Sequence, residues 1–238
     1  MTIVVGHLYP EYLNIYADRG NMAVLARRAA ARGFGLEVRA IGVGERIVPG
    51  EHDLLYVGGG QDREQALIAP DLAARRDELQ ASLSNGVAVL AVCGGYQLLG
   101  HSYELDGEEL PGVGLVDLRT IREPGPRLIG NCAIEADLGT GPRVIAGFEN
   151  HGGRTYLGPD EAPLGRVMSG HGNNGRDGFE GVHAGSVIGT YLHGPLLPKN
   201  VWLADRLIEL ALGTPLEPLP GDELEDAAHA SARRAAGV

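Results

Sequence analysis

Cysteine is scarce in this sequence of 238 residues, which contains only Cys93 and Cys132. Two cysteines cannot supply the disulfide framework that stabilises many small secreted domains, so a reducing compartment is expected. Long hydrophobic runs are missing as well: none reaches the roughly 18 apolar residues that a transmembrane helix needs, and the first residues lack a basic leader. We therefore predict no signal peptide, no membrane span and a cytoplasmic location.

Basic residues are outnumbered by acidic ones. The chain has 20 Lys and Arg residues against 31 Asp and Glu residues, a formal net charge of −11. Such a surface argues against nucleic acid or anionic membranes as the main partners. Cys and His residues do not occur at the close spacing of a zinc site, so no metal is expected. Glycine, in contrast, is abundant, and its clusters predict tight turns and close backbone approaches.

The first half of the chain alternates predicted strands with predicted helices. Val87–Val92 is a continuous apolar run of strand length, which is typical of a strand covered on both faces of a parallel sheet. Residues 62–84 favour a helix that is interrupted at Pro70, with Asp71 capping its second half. The other predicted elements here are strands over 2–5, 36–41 and 54–57 and a helix over 21–32. This alternation predicts an α/β fold with a doubly wound, mostly parallel sheet.

The second half contains short strand candidates separated by glycine-rich turns, at 113–121, 128–134, 144–148 and 187–191. They predict extra strands on the same body, which could pair antiparallel. Val201–Leu212 is amphipathic and predicts a helix. Prolines then break the pattern before an Ala-rich, charged end, for which a frayed tail and a docking element both stay open. We predict one domain over 1–212 and a tail over 213–238.

Cys93 follows the apolar run directly and is followed by two glycines. A nucleophile placed between a buried strand and a helix sits on a sharp turn, and small neighbours allow that turn and the approach of a substrate. Backbone N–H groups at the start of the helix, beginning with that of Gly94, can stabilise a thiolate and an oxyanion. This context favours a thiol nucleophile over a buried structural cysteine, the commoner role of a lone Cys.

A thiol nucleophile needs a base, and three of the eight histidines are candidates. His193 follows an apolar strand and precedes a Gly-Pro turn, a position expected at the carboxyl edge of a sheet. His151, in a polar glycine-rich loop, is nearly as good on spacing alone, and His171 is a weaker candidate. Each of them could instead be a solvated loop histidine.

Three glycines, Gly58–Gly60, follow the predicted strand over 54–57. They lack the Lys-Ser/Thr ending of a P-loop and the spacing of a dinucleotide fingerprint, so a nucleotide site is weakly supported. A loop whose backbone N–H groups face Cys93 from the adjacent strand fits better. The N–H groups of Gly60 and Gly94 are therefore our candidates for an oxyanion hole.

These segments carry a family resemblance. The Cys-Gly-Gly-Tyr-Gln turn at 93–97, the Gly58–Gly60 loop and the Gly-Thr-Tyr-Leu-His-Gly segment at 189–194 resemble class I glutamine amidotransferases, in the branch of cobyrinic and cobyric acid synthases. Further segments resemble the GatD family, the glutaminase subunits of lipid II isoglutaminyl synthases. They are residues 58–66, 147–155, 172–174, 192–195 and 197–200. The resemblance extends from about the N-terminus to Leu212 and implies the flavodoxin-like fold of these amidotransferases.

The resemblance implies roles for individual residues. The nucleophile of the family falls on Cys93 and its base on His193. Its substrate-contacting arginine falls on Arg127, which by itself reads as a solvated charge but suits a grip on the α-carboxylate of glutamine. Gln97, the last residue of the Cys turn, is expected to contact the substrate too.

The family also implies a partner. Ammonia released from L-glutamine would pass to a MurT-like Mur ligase subunit in a heterodimer, which amidates D-glutamate of the lipid II stem peptide. ATP and magnesium would belong to that partner, and no cofactor is expected in this chain. Pro195 stands where many class I enzymes carry the Glu that orients the histidine, so Glu149 or a backbone carbonyl could orient His193 instead.

Two other functions stay open from the sequence. The chain could serve a different glutamine-dependent synthetase of the cobyrinate type. It could also be a non-catalytic partner-binding subunit on the same fold, although the presence of both Cys93 and His193 argues against this.

Overall fold

The structure is a computed structural model and describes residues 1–15, 18–105 and 107–238. In chain order its strands are β1 (Thr2–Leu8), β2 (Gly35–Ile41), β3 (Leu54–Val57), β4 (Ala88–Val92), β5 (Ser102–Leu105), β6 (Glu108–Pro111), β7 (Leu118–Ile121), β8 (Leu128–Ala136), β9 (Arg143–His151), β10 (Arg154–Leu157), β11 (Gly165–Ser169), β12 (Phe179–Glu180), β13 (Val182–Ala184) and β14 (Val187–Thr190). The helices are α1 (Asp18–Ala30), α2 (Asp62–Ala74), α3 (Arg76–Ser84), α4 (Gly94–Leu98), α5 (Leu196–Lys199), α6 (Val201–Leu212) and α7 (Glu223–Ala236).

The central sheet has the strand order β13-β14-β4-β3-β1-β2. All of its neighbouring pairs are parallel except β13 with β14 at one edge. The apolar strands β3 and β4 are buried along their whole length, as expected when helices cover both faces of a parallel sheet. The predicted doubly wound, mostly parallel α/β fold is therefore confirmed.

The predicted extra strands of the second half are present, and most of them form two further sheets. One has the order β10-β7-β5-β6 and the other β12-β11-β8-β9. The long β8–β9 hairpin pairs antiparallel over nine residues on each strand. A backbone bridge from Phe148 in β9 to His193 connects this hairpin to the segment after β14.

The predicted strand over 113–121 is wrong in its first half, because only β7 at its end is a strand. The backbone N–H groups of Val113 and Leu115 donate to the carbonyls of Leu98 and Leu99 at the end of α4. Val113 and Val116 of this stretch are buried although they belong to no strand.

The predicted helix break at Pro70 is also wrong. Pro70 lies inside α2, and the helix continues to Ala74 before the chain turns at Arg75. An internal proline costs about 3 kcal/mol of helix stability, but Ile68 and Leu72 on either side of it are buried in the core and hold the helix together. Asp71 caps no helix: its carboxylate accepts hydrogen bonds from the Tyr9 hydroxyl and Gly44 N and pairs with Arg75.

The C-terminal segment contains helix α7, which packs against β8, β9 and α5. The start of α7 is held by Arg28 of α1, which is 3% exposed. Arg28 forms ion pairs with Asp205 of α6 at 2.5 Å and with Asp222, the residue before α7, at 2.6 Å. At the other end of α7, the Asn131 side chain donates to Ala235 O at 2.9 Å. The division into a domain over 1–212 and a tail over 213–238 stays a prediction.

Helices long and apolar enough to cross a membrane are absent from the part of the chain that the structure describes.

Candidate active site

The carboxyl ends of β3, β4 and β14 meet at one edge of the central sheet, because the three strands are parallel and adjacent. The segments that leave these strands are the Gly58–Gly60 loop, the Cys93 turn and the stretch that ends at His193. The topology thus brings together three segments that are far apart in the sequence. Ligand sites of open α/β sheets lie at this kind of edge.

A cavity of about 490 Å³ opens at this edge. Four of the predicted site residues line it together: Gly60, Cys93, Gln97 and Arg127. Its wall also includes Asp62, Tyr103, Asn150 and His151. A larger cavity of about 720 Å³ contains none of the predicted site residues and is lined by residues of α1, α6 and α7, among others.

Cys93 adopts the sharp strand-to-helix turn expected from its sequence context. Its backbone has φ 51° and ψ −107°, a conformation that residues other than glycine rarely adopt. Its N–H donates to Thr190 O at 2.8 Å, and its carbonyl accepts from Gln97 N at 3.0 Å. Gly95 allows this turn, because a Cβ there would lie only 2.5 Å from the backbone oxygen of Val57. The packing around the turn therefore holds Cys93 in a strained conformation.

The two glycines predicted to form the oxyanion hole are close neighbours. A Cβ placed on Gly94 would lie 3.1 Å from the backbone nitrogen of Gly60. The Gly58–Gly60 loop is tied to the Cys93 turn by a hydrogen bond from Gly95 N to Gly58 O at 3.1 Å. Gly60 and Gly94 thus lie close together at adjacent strand ends, and Gly60 lines the cavity.

Arg127 and Gln97 are held at the cavity by hydrogen bonds. The Arg127 guanidinium donates from Nε to Asn150 Oδ1 at 2.9 Å and from Nη2 to Asn150 O at 3.0 Å. The Gln97 amide donates to the Tyr191 hydroxyl at 3.2 Å. Asn150 belongs to the glycine-rich loop that the sequence singled out for His151, but its function of holding Arg127 is visible only in the structure.

His193 is buried, with 5% of its surface exposed. Its backbone is fixed by two hydrogen bonds with Phe148, from His193 N at 2.9 Å and to His193 O at 3.1 Å. Burial, together with the nearby charge of Lys199, lowers the pKa of His193 to about 4, against a smaller opposing effect of Glu149. The imidazole is therefore neutral at physiological pH, the form that accepts a proton.

Of the three candidate histidines, His151 lines the cavity, whereas His193 and His171 do not. His151 lines the cavity and stacks on the Tyr191 ring, with ring centroids 3.5 Å apart. Burial lowers the pKa of His151, and its Nδ1 lies 2.9 Å from Gly153 O. His171 does not line the cavity, and its Nδ1 lies 2.7 Å from Glu149 Oε1.

Glu149, the carboxylate considered as a partner of His193, is fully buried. It accepts hydrogen bonds from the backbone N–H groups of His171 and Gly172 at 2.7 and 3.0 Å. Burial raises the pKa of this carboxyl group, but hydrogen bonds from the histidines and these N–H groups offset that effect and hold its pKa below the ordinary value. A carboxylate charge is thus present close to both His151 and His193.

Sequence reasoning missed a chain of buried hydroxyl groups behind the cavity. The Tyr191 hydroxyl lies 2.6 Å from Thr155 Oγ1, which lies 2.7 Å from Thr120 Oγ1. Glu180 is fully buried next to this chain and accepts a hydrogen bond from Tyr191 N at 2.6 Å. The only signal in the sequence was the position of Tyr191 two residues before His193.

Comparison with known proteins finds a family model and two named relatives that cover most of the chain. The family model described as the CobB/CobQ-like glutamine amidotransferase domain matches residues 4–201. A Staphylococcus aureus protein named the GatD subunit of the glutamine-hydrolysing lipid II isoglutaminyl synthase is 43% identical, over 91% of this chain and 88% of its own length. A Streptococcus pneumoniae protein of the same name is 39% identical, over 87% of this chain and 80% of its own length.

Relatives of another kind match less of their own length. A cobyric acid synthase from Pelotomaculum thermopropionicum is 34% identical over 67% of this chain, which spans only 32% of that protein. Among solved structures, a chain of PurLQS from Thermotoga maritima superposes with a TM-score of 0.62 at 16% identity, covering 90% of this chain and 99% of its own. At that identity the likeness concerns the fold.

Proposed function

Because the chain belongs to the CobB/CobQ-like glutamine amidotransferase family, we propose that it is the glutamine-hydrolysing subunit of a lipid II isoglutaminyl synthase. In this function it releases ammonia from L-glutamine, and a MurT-like ligase subunit uses the ammonia to convert D-glutamate of the lipid II stem peptide into D-isoglutamine. The product would be a precursor for peptidoglycan synthesis.

One observation supports this function over the alternatives. The similarity to the two GatD subunits extends over 88% and 80% of their length, whereas the chain spans only about a third of the cobyric acid synthases. Residues 147–155, which include the Asn150 that holds Arg127, are also among the segments that resemble the GatD family. Service to a cobyrinate-type synthetase is therefore the second candidate.

The proposed reaction begins at Cys93. Its thiolate attacks the side-chain amide carbon of glutamine, and the oxyanion that forms is stabilised by the N–H groups of Gly60 and Gly94. The C–N bond breaks as the leaving nitrogen takes a proton from the imidazolium form of His193, which gives ammonia and a glutamyl thioester. His193 then takes a proton from water, which hydrolyses the thioester to glutamate and returns the thiol.

The environment of His193 suits this proton transfer. Its burial keeps the imidazole neutral and ready to take the Cys93 proton. The buried charge of Glu149 stabilises the imidazolium that follows. The two backbone hydrogen bonds with Phe148 fix the position of the residue, and Pro195 offers no side-chain partner of its own. Many class I enzymes carry a Glu at the position of Pro195. We therefore propose that Glu149 supplies the negative charge that this Glu would place near the histidine.

Glutamine binding is assigned to Arg127 and Gln97. Asn150 engages Nε and Nη2 of Arg127, which fixes the guanidinium plane while it faces the cavity. A planar guanidinium binds a carboxylate strongly, so the α-carboxylate of glutamine is its proposed ligand. Gln97 contacts the remainder of the substrate from the floor of the cavity.

The proposal assigns ATP and magnesium to the partner, because activation of a carboxylate for amidation needs them and glutamine hydrolysis does not. It also includes a cytoplasmic location, since both cysteines are unbridged thiols, which suits a reducing compartment. The two subunits would form a heterodimer through which ammonia passes.

The decisive experiment is reconstitution. The chain is purified together with whatever ligase co-purifies with it, supplied with glutamine, ATP and lipid II, and the stem peptide is analysed by mass spectrometry. We expect D-glutamate to be converted to D-isoglutamine, and free ammonia to replace glutamine when Cys93 is changed to Ser. If the pair amidates nothing in lipid II but the chain supports another glutamine-dependent synthetase, the GatD assignment is wrong and the glutaminase assignment survives.

A further inference from the structure

The cavity holds an acidic side chain that the reaction described above does not use. Asp62, the first residue of α2, lines the cavity together with Cys93 and Arg127. It is the single carboxylate among the lining residues of this cavity in the described part of the chain. An acidic group in a pocket that binds an amino acid needs an explanation.

Asp62 is held in place by a neutral donor. The hydroxyl of Tyr103, a residue that is 1% exposed, donates to Asp62 Oδ1 at 2.9 Å. Burial raises the pKa of this hydroxyl, so it stays a donor at physiological pH. The first turn of a helix also favours a negative charge. The Asp62 side chain is therefore oriented by a neutral hydroxyl and not by a cation.

Three charged side chains line the cavity, those of Asp62, Arg63 and Arg127. The opposite charges of Asp62 and Arg127 have no ionic partner among the described residues. Within residues 1–15, 18–105 and 107–238, no ion pair joins Asp62 to a cation, and Arg127 is bound by the neutral side chain and carbonyl of Asn150. Arginines are paired with carboxylates elsewhere in the protein, as at Arg28 with Asp205 and Asp222. An unpaired anion and an unpaired cation facing one cavity complement a ligand that carries both charges.

Free L-glutamine is such a ligand, with an α-carboxylate and an α-ammonium group. We propose that Asp62 binds the α-ammonium group while Arg127 binds the α-carboxylate, which makes the site specific for the free amino acid over amides that lack the ammonium group. The inference rests on the proposed glutamine hydrolysis and adds to it the residue that selects the substrate. Tyr103 is the positioning residue for Asp62.

The test compares L-glutamine with glutaramate, the same molecule without its α-amino group, in the wild-type protein and in Asp62→Asn. Asparagine keeps an oxygen that can accept the Tyr103 hydrogen bond and removes only the charge. We expect Asp62→Asn to lower kcat/KM for L-glutamine about 10- to 150-fold, the usual effect of losing a charge-assisted hydrogen bond. For glutaramate, kcat/KM should stay within about threefold of the wild-type value, since that substrate has no ammonium group to bind.

Asp77→Asn is the matched control. Asp77 is an exposed acidic residue in the first turn of α3, outside the cavity, so the same substitution there should leave the discrimination between the two substrates unchanged. An equal loss for both substrates in Asp62→Asn would show that Asp62 acts only on structure. An unchanged preference for L-glutamine would also overturn the proposal.

A binding measurement separates this proposal from the proposed function. Calorimetric titration of L-glutamine and glutaramate into Cys93→Ser, with and without Asp62→Asn, needs no turnover. The dissociation constant for L-glutamine should rise about 10- to 150-fold with Asp62→Asn, and that for glutaramate should not. If wild-type protein hydrolyses no glutamine while Cys93→Ser shows this pattern, the proposed function fails and Asp62 keeps its role. If Asp62→Asn leaves the dissociation constant for L-glutamine unchanged, Asp62 does not bind the α-ammonium group.

Discussion

At the scale of single residues, Cys93 is distinguished from Cys132 by its surroundings. Cys93 lines the cavity on a strained turn, whereas Cys132 is fully buried in β8, where burial raises the pKa of its thiol. We expect Cys93→Ser to abolish ammonia release from glutamine without changing the thermal unfolding of the protein. Cys132→Ser should lower the free energy of unfolding and leave turnover per folded molecule intact. Near wild-type ammonia release by Cys93→Ser would remove Cys93 from the nucleophile's role.

Substitutions can also distinguish the roles of the two buried histidines, His193 and His151. His193→Ala should reduce kcat by at least about 10²–10⁴-fold, the usual contribution of a proton-transferring group, because thiolate formation depends on it too. His151→Ala should act mainly through the lost stacking on Tyr191, with a smaller effect on kcat. Steady-state glutaminase assays of both variants decide between them. An essential His151 with a dispensable His193 would mean that the base is misassigned.

Arg127 is expected to affect substrate capture. Arg127→Ala should lower kcat/KM for glutamine about 10- to 150-fold, since a charge-assisted hydrogen bond contributes roughly 1.5–3 kcal/mol. Arg127→Lys should restore only part of this loss, because an ammonium group cannot bind a carboxylate in the bidentate manner of a guanidinium. Unchanged kinetics in Arg127→Ala would identify Arg127 as an ordinary surface charge.

At the scale of elements, the strand–turn–helix unit around Cys93 depends on Gly95. A methyl group at Gly95 would lie 2.5 Å from Val57 O and 2.8 Å from Gly58 O, and both atoms belong to a backbone that cannot move aside. We expect Gly95→Ala to lower the free energy of unfolding by about 1–3 kcal/mol, the usual cost of overpacking. Denaturant titration measures this loss. Gly130→Ala in β8, where a Cβ would have open space around it, should unfold like the wild type.

Local sequence patterns predicted some helices and strands correctly and others not. The strand over 54–57 and the helix over 201–212 were predicted with their observed bounds, because an apolar run and an amphipathic period describe burial directly. The predicted helix break at Pro70 was wrong, because burial of the neighbouring side chains in the core outweighs the local cost of a proline. The contacts of Arg127 with Asn150 and of Asp62 with Tyr103 join residues 23 and 41 positions apart. Such pairs depend on topology, which no local pattern contains.

At the scale of the whole molecule, stability should depend on pH through buried groups. Burial raises the pKa of Glu180 to about 8, from an ordinary value of 4.5. A raised carboxyl pKa contributes stability that is lost as the pH rises towards the folded value. Between pH 6.5 and 8 the free energy of unfolding of the wild type should therefore fall by about 1–2 kcal/mol. His7 and His193 have pKa values of about 4 in the fold, so they destabilise it only below about pH 6.5.

Glu180→Gln tests this dependence, because glutamine cannot ionise and still offers an oxygen to Tyr191 N. Chemical denaturation of both proteins at pH 6.5 and 8 measures the free energy of unfolding. This free energy should fall between the two pH values for the wild type and change less for the variant. Equal slopes would mean that another group causes the loss.

The order of strands in the central sheet also has a consequence for synthesis on the ribosome. β4 pairs with β3 on one side and with β14 on the other, and β14 lies almost a hundred residues further along the chain. At roughly 5–20 residues per second, one edge of this wholly apolar strand waits about 5–20 s for its neighbour, without the pairing that protects strands from aggregation. Cys93, the proposed nucleophile, likewise emerges that long before His193, its proposed base. We therefore expect a nascent chain to hydrolyse no glutamine until β14 has paired with β4 and brought His193 to its folded position.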